Sequence, residues 1–450
     1  MARAASSFAA SVGLAILVAA LGAPSPCRAG NPAGGGSESI AAKKGQAGTM
    51  AELAGMYDSG PCAACHRAVY DEWRGSAHAA SLFGKGRTAA ALRAAVVDGL
   101  MRWPYSGVKT DNDVTVRHLM GCAKCHLPQL ADAGDPVARE TVAALADWQG
   151  ALDRNDQAAA GQAAGKLAAL NIGCLICHNR NAVIHKWTDG YPKAGEIYGS
   201  KEGAHPGGDF PVLRKSPILR EAILCGQCHG LGPNLELDNP TQCATSYGSY
   251  LYTYRAQGGT ETCQDCHMRK SKLGHGTGPG AGATLAREAL DVAADARGFQ
   301  WRDGNRYIPR IAVEVAMTNK AGHALPGGGA AQKRLVLEVA AKTAGGTEIF
   351  SRTRTYMPIA QRFGRSDRTG RGPYEKTGIV EDTALPANRT VRERFDILME
   401  PPDPGPAKEK RPPLEVTVHV TLRLVDPGMA GANGDTWFES TKIVRLEDVQ

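Results

Sequence analysis

Strict alternation of apolar and polar positions is confined to the last third of the chain. Arg310-Ile311-Ala312-Val313-Glu314-Val315-Ala316-Met317 is apolar at alternate or near-alternate positions, and residues 334–341, 391–399 and 414–425 repeat the habit. A period of two is that of a strand with one buried face. Gly, Pro and Asn separate these runs, so several short strands at this spacing predict a β-sandwich over 305–450. Earlier in the chain the texture differs. Residues 136–170, from Pro136 through an Ala-rich stretch to Leu170, read as helices. Residues 188–217 are dominated by Gly and Pro and read as loop with a few helical turns. Residues 281–297 read as a connecting helix and 361–380 as a long polar loop. Residues 30–50, rich in Gly, Ala, Ser and Lys, have the composition of a flexible leader. The fold class that follows is α+β, a mainly helical, loop-rich part before an all-β part. The boundaries are 1–29, a leader over 30–55, a helical domain over 56–280, a connector over 281–304 and a β domain over 305–450.

A chain of 450 residues allows two or three domains. With 43% hydrophobic and 22% charged residues it is neither disordered nor fibrous. Its formal charge of +7 is modest and scattered, which gives nucleic-acid binding no support. Residues 1–29 have the layout of a secretory signal: Arg3, an uncharged apolar run over 8–21, then Cys27-Arg28-Ala29 as a cleavage site. A run of about 14 residues falls short of the about 20 that span a bilayer, and no other window approaches that length. The mature chain is therefore expected to be periplasmic or otherwise exported, without a transmembrane segment.

The counts that decide most are 12 Cys and 12 His. Ten of the cysteines fall in five copies of Cys-x-x-Cys-His, where chance predicts about 0.01 copies. The copies are Cys62/Cys65/His66, Cys122/Cys125/His126, Cys174/Cys177/His178, Cys225/Cys228/His229 and Cys263/Cys266/His267. This spacing is the attachment unit of haem c: each thiol adds to a vinyl group as a thioether, and the histidine meets the iron from one face. Structural zinc does not need a histidine directly after the second cysteine five times over. A thioredoxin-like pair needs a βαβ setting, which is missing around these motifs. Five covalent haems are expected within 206 residues, 62–267. So short a chain per haem leaves the porphyrins to supply much of the apolar interior.

One axial position on each iron remains, and its occupant sets the role. Seven histidines lie outside the units: His78, His118, His185, His205, His275, His323 and His419. His419 sits inside the strand-like run Val416-Thr417-Val418-His419-Val420 and is read as structural. The other six are candidate distal ligands. Two residues seven apart on a helix lie on one face, so His185 is expected to serve a haem other than that of His178. By the same reasoning His118 is expected to serve a haem other than that of His126.

Three stretches resemble the multihaem c-type cytochromes related to the tetrahaem cytochrome that accepts electrons from hydroxylamine oxidoreductase. They are Cys62–His66 with Tyr70-x-x-Trp73 and Ser76-Ala77-His78; Cys174–His178 with His185-Lys186-Trp187; and Cys263-Gln264-Asp265-Cys266-His267-Met268 with His275. The resemblance covers about residues 60–280. It implies a helical haem-packing fold, bis-histidine haems and electron transfer, with His78 and the histidines near the units as distal ligands. Asn319 to Pro326 is also similar to the start of a β-sandwich appended to some of these proteins. The chain has five units rather than four, and it has no Cys-x-x-Cys-Lys of the kind the related nitrite reductases use. Tyr247, Tyr250, Tyr252 and Tyr254 cluster before the fifth unit, where packing is a sufficient role. Cys243 is the one cysteine outside both the units and the signal, and is read as a buried thiol.

Three functions are compatible with this sequence. The first is an exported pentahaem relay between redox partner proteins, in solution or in a membrane-associated or surface complex. The second is an oxidoreductase with one five-coordinate haem acting on a small nitrogen or sulfur compound. The third is a surface-binding or assembly module with the haems as a conduit. Six candidate ligands for five irons favour the first.

Overall fold

The computed structural model describes residues 46–84, 87–183, 195–206, 209–230, 246–277, 285, 288–304, 306–327, 333–362, 376–399, 414–425 and 434–446. The signal-like residues 1–29, His185 and Cys243 lie outside these. All described residues belong to one compact unit, Ser37–Gln450. Its fold is α+β, with helices and three short strands up to residue 270 and long strands from 290 onward.

The Ala-rich stretch folds into a helical hairpin. Helix α5 (Asp135–Asp153) starts at Gly134 with Pro136 in its first turn, where a missing N–H costs nothing. Val137, Ala138, Thr141, Val142, Ala144, Leu145 and Trp148 recur at three- and four-residue spacing on its buried face. Helix α6 (Gln157–Ala168) is capped by Asp156, whose carboxylate accepts from the Ala159 amide at 3.0 Å. It returns Ala160, Ala163 and Leu167 to the same core. Around the hairpin lie α1 (Met50–Met56), α2 (Arg67–Arg74), α3 (Arg87–Ala94), α4 (Val116–His126) and α7 (Cys174–His178). Leu53, Leu100, Leu127, Leu130, Leu145 and Leu167 are all at or below 1% exposure, and each such burial is worth about 1.5–3 kcal/mol. This part of the chain therefore builds an ordinary side-chain core, contrary to the expectation of a thin one throughout. After His178 the expectation describes the chain better. Around α8 (Ala222–His229) and α9 (Ser246–Ser249) the buried apolar residues shrink to two small groups, Ala182/Val183/Tyr198 and Ala222/Tyr247/Tyr250.

Residues 188–217 depart from the reading as loop with helical turns. Their described part carries a small sheet of β1 (Glu196–Gly199), β3 (Val212–Lys215) and β2 (Gly203–Ala204), in that spatial order. The reading of 281–297 as a helix, and of 281–304 as a connector, is also corrected, because Leu290–Asp303 is strand β4. Ala293, Ala294 and Ala296 gave that stretch a helical look, but it pairs along its whole length with β5 (Arg306–Asn319), from Leu290↔Asn319 to Asp303↔Arg306. A ladder of that length overrides local propensity.

Two antiparallel sheets make the β part. One has the order β10 (Arg389–Leu398), β5, β4. The other runs β12 (Asp435–Leu446), β11 (Leu414–Val425), β6 (Arg334–Thr343), β7 (Glu348–Tyr356). The predicted alternation points inward from both. Ile311 opposes Ile397 and Val313 opposes Phe395 in one sheet; Val420 opposes Val339 and Leu422 opposes Leu337 in the other. These residues share one core, so the layers form a sandwich. Of the stretch 361–380, read as a loop, residues 363–375 lie outside the described residues, and its two ends belong to β8 (Pro358–Arg362) and β9 (Lys376–Asp382), which pair. His419 is on the outward face of β11, with Nδ1 2.9 Å from Thr441 Oγ1. Among the described residues no helix is long and apolar enough to cross a membrane.

Candidate functional site

Four imidazole pairs occur among the described residues, and each joins a motif histidine to a histidine from elsewhere in the chain. His66 faces His205 with ring centres 6.2 Å apart and planes 11° apart. His178 faces His275 at 6.3 Å and 26°, and His267 faces His323 at 6.1 Å and 10°. His229 and His78 stand 6.2 Å apart with a steeper 67° between planes. Such a spacing is too wide for ring contact. It is the spacing that one metal ion between two imidazoles requires, since a metal–nitrogen bond of about 2.0 Å on each side sets the ring centres about 6.3 Å apart.

The second ring nitrogen reports the tautomer. Nδ1–H of His178 donates to the Tyr198 carbonyl at 2.8 Å, that of His205 to Phe210 at 2.9 Å and that of His323 to Ala324 at 2.9 Å. A carbonyl only accepts, so these Nδ1 atoms carry the proton and Nε2 is left bare for a metal. His78 Nδ1 stands 3.3 Å from Thr277 Oγ1, and His275 Nδ1 lies 3.7 Å from Glu72 Oε2. Glu72 also accepts from the His275 amide at 2.9 Å. His118 differs. Its Nδ1 meets both the Thr115 amide and the Thr115 hydroxyl at 3.1 Å in the cap of α4.

Burial holds these rings neutral. His229 is pushed down to about 4, chiefly by desolvation and then by the nearby rings of His78, His267, His126 and His323. Desolvation also lowers His78, His126, His178, His267, His275 and His323. Yet His229 and His267 remain accessible to water. A ring that is both enclosed and accessible lines an internal hollow rather than a packed core. Among the described residues no three His, Cys, Asp or Glu converge to hold an ion with protein ligands alone. Paired axial imidazoles, a hollow between them and two cysteines beside each motif histidine fit a haem, whose own four nitrogens complete the coordination.

The cysteines bring the units together. Cys62 and Cys174 are neighbours that perturb each other's thiol, as are Cys125 and Cys228, and Cys225 and Cys263. Main-chain and side-chain bonds reinforce each junction. The Cys174 amide donates to Ser59 Oγ at 3.0 Å, and Trp73 Nε1 donates to the Ile172 carbonyl at 2.9 Å, tying the first unit to the third. Gln227 Nε2 donates to the Asn181 carbonyl at 2.7 Å, tying the fourth to the third. Gln264 Nε2 donates to the Leu219 and Glu221 carbonyls at 3.2 and 2.8 Å, tying the fifth to the approach to the fourth. The fourth unit thus adjoins the second, third and fifth, and the first hangs from the third. Close approach is built in at Gly226, where a Cβ would stand 2.5 Å from the Tyr247 ring. Tyr247, Tyr250 and Tyr254 stack at 6.0 and 5.6 Å, so three of the four clustered tyrosines pack, while Tyr252 is exposed.

Cys65 is exposed, whereas the other nine motif cysteines are half-buried. The physical reason is local. Cys65 closes the short 3₁₀ turn Gly60–Ala64, which buries no side chain of its own, and the neighbouring Ala64 and His66 are exposed as well. Its companion Cys62 points inward to Cys174. The first unit therefore lies at the rim, with one thiol turned to the interior and one to water.

Of the six candidate distal ligands, four (His78, His205, His275, His323) face a motif histidine. His118 caps α4 through Nδ1, and His185 lies outside the described residues. His126 is the motif histidine with no paired ring among the described residues. Sequence reasoning missed the residues behind the ligands. Glu72 gives no signal in a helix rich in charge, and carbonyl acceptors leave no trace in side-chain chemistry.

No family model matches the sequence, and no curated protein sequence matches it. Solved structures do. The fold is similar to that of a penta-heme cytochrome c552 from Thermochromatium tepidum, with a TM-score of 0.50 and 18% identity, over 87% of this chain and 98% of that one. Two further structures match about a third of the chain. One is a putative beta-galactosidase from Bacteroides fragilis (15% identity, 33% of this chain, 15% of that one, TM-score 0.17). The other is the sporulation control protein Spo0M from Bacillus subtilis (12% identity, 35% and 49%, TM-score 0.13). The likeness to the cytochrome spans helical and β parts together, and at this identity it is a likeness of fold.

Proposed function

We propose that the chain is an exported pentahaem c-type cytochrome that passes electrons between redox partner proteins. The observation that carries this reading is the set of four imidazole pairs at 6.1–6.3 Å, each beside a Cys-x-x-Cys. Haem c supplies an iron that cycles between ferric and ferrous states. Cys62/Cys65, Cys122/Cys125, Cys174/Cys177, Cys225/Cys228 and Cys263/Cys266 hold the five groups, and His66, His126, His178, His229 and His267 are the proximal ligands. His205, His275, His78 and His323 close the sixth positions opposite His66, His178, His229 and His267. Closed positions deny substrate access and suit electron transfer. The thiol contacts support a branched path, from the first unit through the third to the fourth, and from there to the second and the fifth. In this reading 56–280 is the multihaem domain. The β part, starting at Leu290, closes one haem through His323 and is a support or partner-docking module.

A second reading has one observation in its favour. His126 has no paired ring among the described residues, and an open haem there would permit chemistry on a small nitrogen or sulfur compound. Paramagnetic resonance with haem quantitation separates the two. The relay requires five low-spin ferric haems and negligible carbon monoxide binding; one high-spin haem per chain that binds carbon monoxide would favour the oxidoreductase.

A further inference from the structure

The segment that carries His323 is braced from inside. Asn319 ends strand β5 and is fully buried. Its side chain spends every polar group on the local backbone. Nδ2 donates to the His323 carbonyl at 3.0 Å and to the Leu385 carbonyl at 2.8 Å, and Oδ1 accepts from the Ala321 amide at 2.8 Å. Leu325 and Leu385 exchange two main-chain hydrogen bonds of 2.9 and 2.7 Å, which seals the far end of the turn. From the helical side Ser249 Oγ accepts from the Ala324 amide at 2.8 Å. The ring itself is fixed by its Nδ1–H to the Ala324 carbonyl, and Gly327 lies directly against it. A Cβ at Gly327 would stand 2.7 Å from His323 Cε1 and 3.1 Å from Nδ1, a separation no real contact tolerates. The imidazole has no freedom to yield, because its other nitrogen faces His267.

We propose that Asn319 is a positioning residue that holds His323 opposite His267 by bracing the turn between them and the β core, with Gly327 leaving the room the imidazole needs. The inference rests on the reading of His267 and His323 as axial ligands of one haem. A turn built this way loses its ligand geometry when the brace is cut, even though the ligand remains. Loss of a group that orients a metal ligand weakens ligation about 10–100-fold.

The test uses the full-length holoprotein, with cyanide titration and ferric paramagnetic resonance. Asn319→Ala and Gly327→Ala should each raise cyanide affinity about 10–100-fold at one haem of the five. That haem should be the one that turns high-spin in His323→Ala. Where Asn319→Ala yields no folded holoprotein, Asn319→Ser, which keeps a hydroxyl for the Ala321 amide, takes its place. A lower melting temperature with wild-type cyanide binding would make Asn319 merely structural and overturn the proposal. Wild-type binding in Gly327→Ala would remove that residue's part. Five low-spin haems in His323→Ala would instead overturn the ligand assignment beneath it, a distinct result.

Discussion

Exchanging His78 for Met separates a relay from a set of independent haems. His78 faces His229, and the unit of His229 adjoins three others, so the proposed path narrows at this iron. His205 faces His66 in a unit that touches only the third. Methionine keeps an iron six-coordinate but raises its potential relative to bis-histidine ligation, and axial ligands command a range of about 0.8 V. A rise of only about 120 mV at the central haem makes onward transfer from it about a hundredfold less favourable, at 59 mV per tenfold for one electron. The same rise at the His205 haem leaves the route between the third, fourth and fifth units untouched. Spectroelectrochemistry should show one haem in five shifted in each variant. Flash photoreduction followed by the Soret band should then show internal equilibration slowed and its end point displaced in His78→Met, with His205→Met close to wild type across the inner four haems. Equal kinetic effects in the two variants would refute the branched order. An unchanged titration in His78→Met would remove His78 from the iron.

Four further outcomes are expected. Intact mass with haem-stained denaturing gels should show five covalent haems on the processed chain; a mass fitting zinc or bare thiols would end the reading. Loss of residues 1–29 removes Arg3 and Arg28 and lowers the formal charge from +7 to +5, and ten propionates then make the holoprotein near neutral or acidic, so isoelectric focusing should place it well below the sequence value of 8.8. Arg180→Met should cost about 3–5 kcal/mol in denaturant unfolding, because Asp132, at 2% exposure, would lose its 3.0 Å guanidinium partner two residues beyond the third unit. Tyr57→Phe, which removes only a hydroxyl donor to the same carboxylate, should cost about 1 kcal/mol, and similar losses in both would contradict the assignment. His118→Ala should cost about 1 kcal/mol as a lost cap of α4; a new high-spin haem in the same variant would show that His118 also ligates, and an unchanged low-spin count would confine it to the cap.

The legible parts of this molecule are those where chemistry is local. Each attachment unit is five consecutive residues, and the strands read from alternation, at 310–317, 334–341, 391–399 and 414–425, became the buried strands β5, β6, β10 and β11. Their neighbours were harder to see. Strand β7 is exposed along most of its length, so neither face selects apolar residues and no period of two appears. Strand β4 carries alanines that suit a helix equally well, and its ladder to β5 decides the matter. The motif also hides differences in setting: Cys65 reads like the other nine thiols, and only the rim position of its turn sets it apart. The histidines were legible as candidates but their partners were not. His66 meets His205, and His267 meets His323 across the junction of helical and β parts, because tertiary packing delivers them. Neither spacing nor composition encodes that meeting. The place of His118 three residues after Thr115, in the cap of α4, was equally legible and went unread.

The cysteine contacts bear on how the protein is made. In the finished fold Cys62 lies against Cys174, Cys125 against Cys228 and Cys225 against Cys263, and the partners come from different units. A chain that folded in an oxidising compartment before receiving its haems would hold those thiols as neighbours open to oxidation. A sulfur atom so spent cannot form a thioether. On the reading proposed above, folding and haem attachment would compete for the same six atoms, and attachment before folding, on a chain kept reduced and open, would be the productive order.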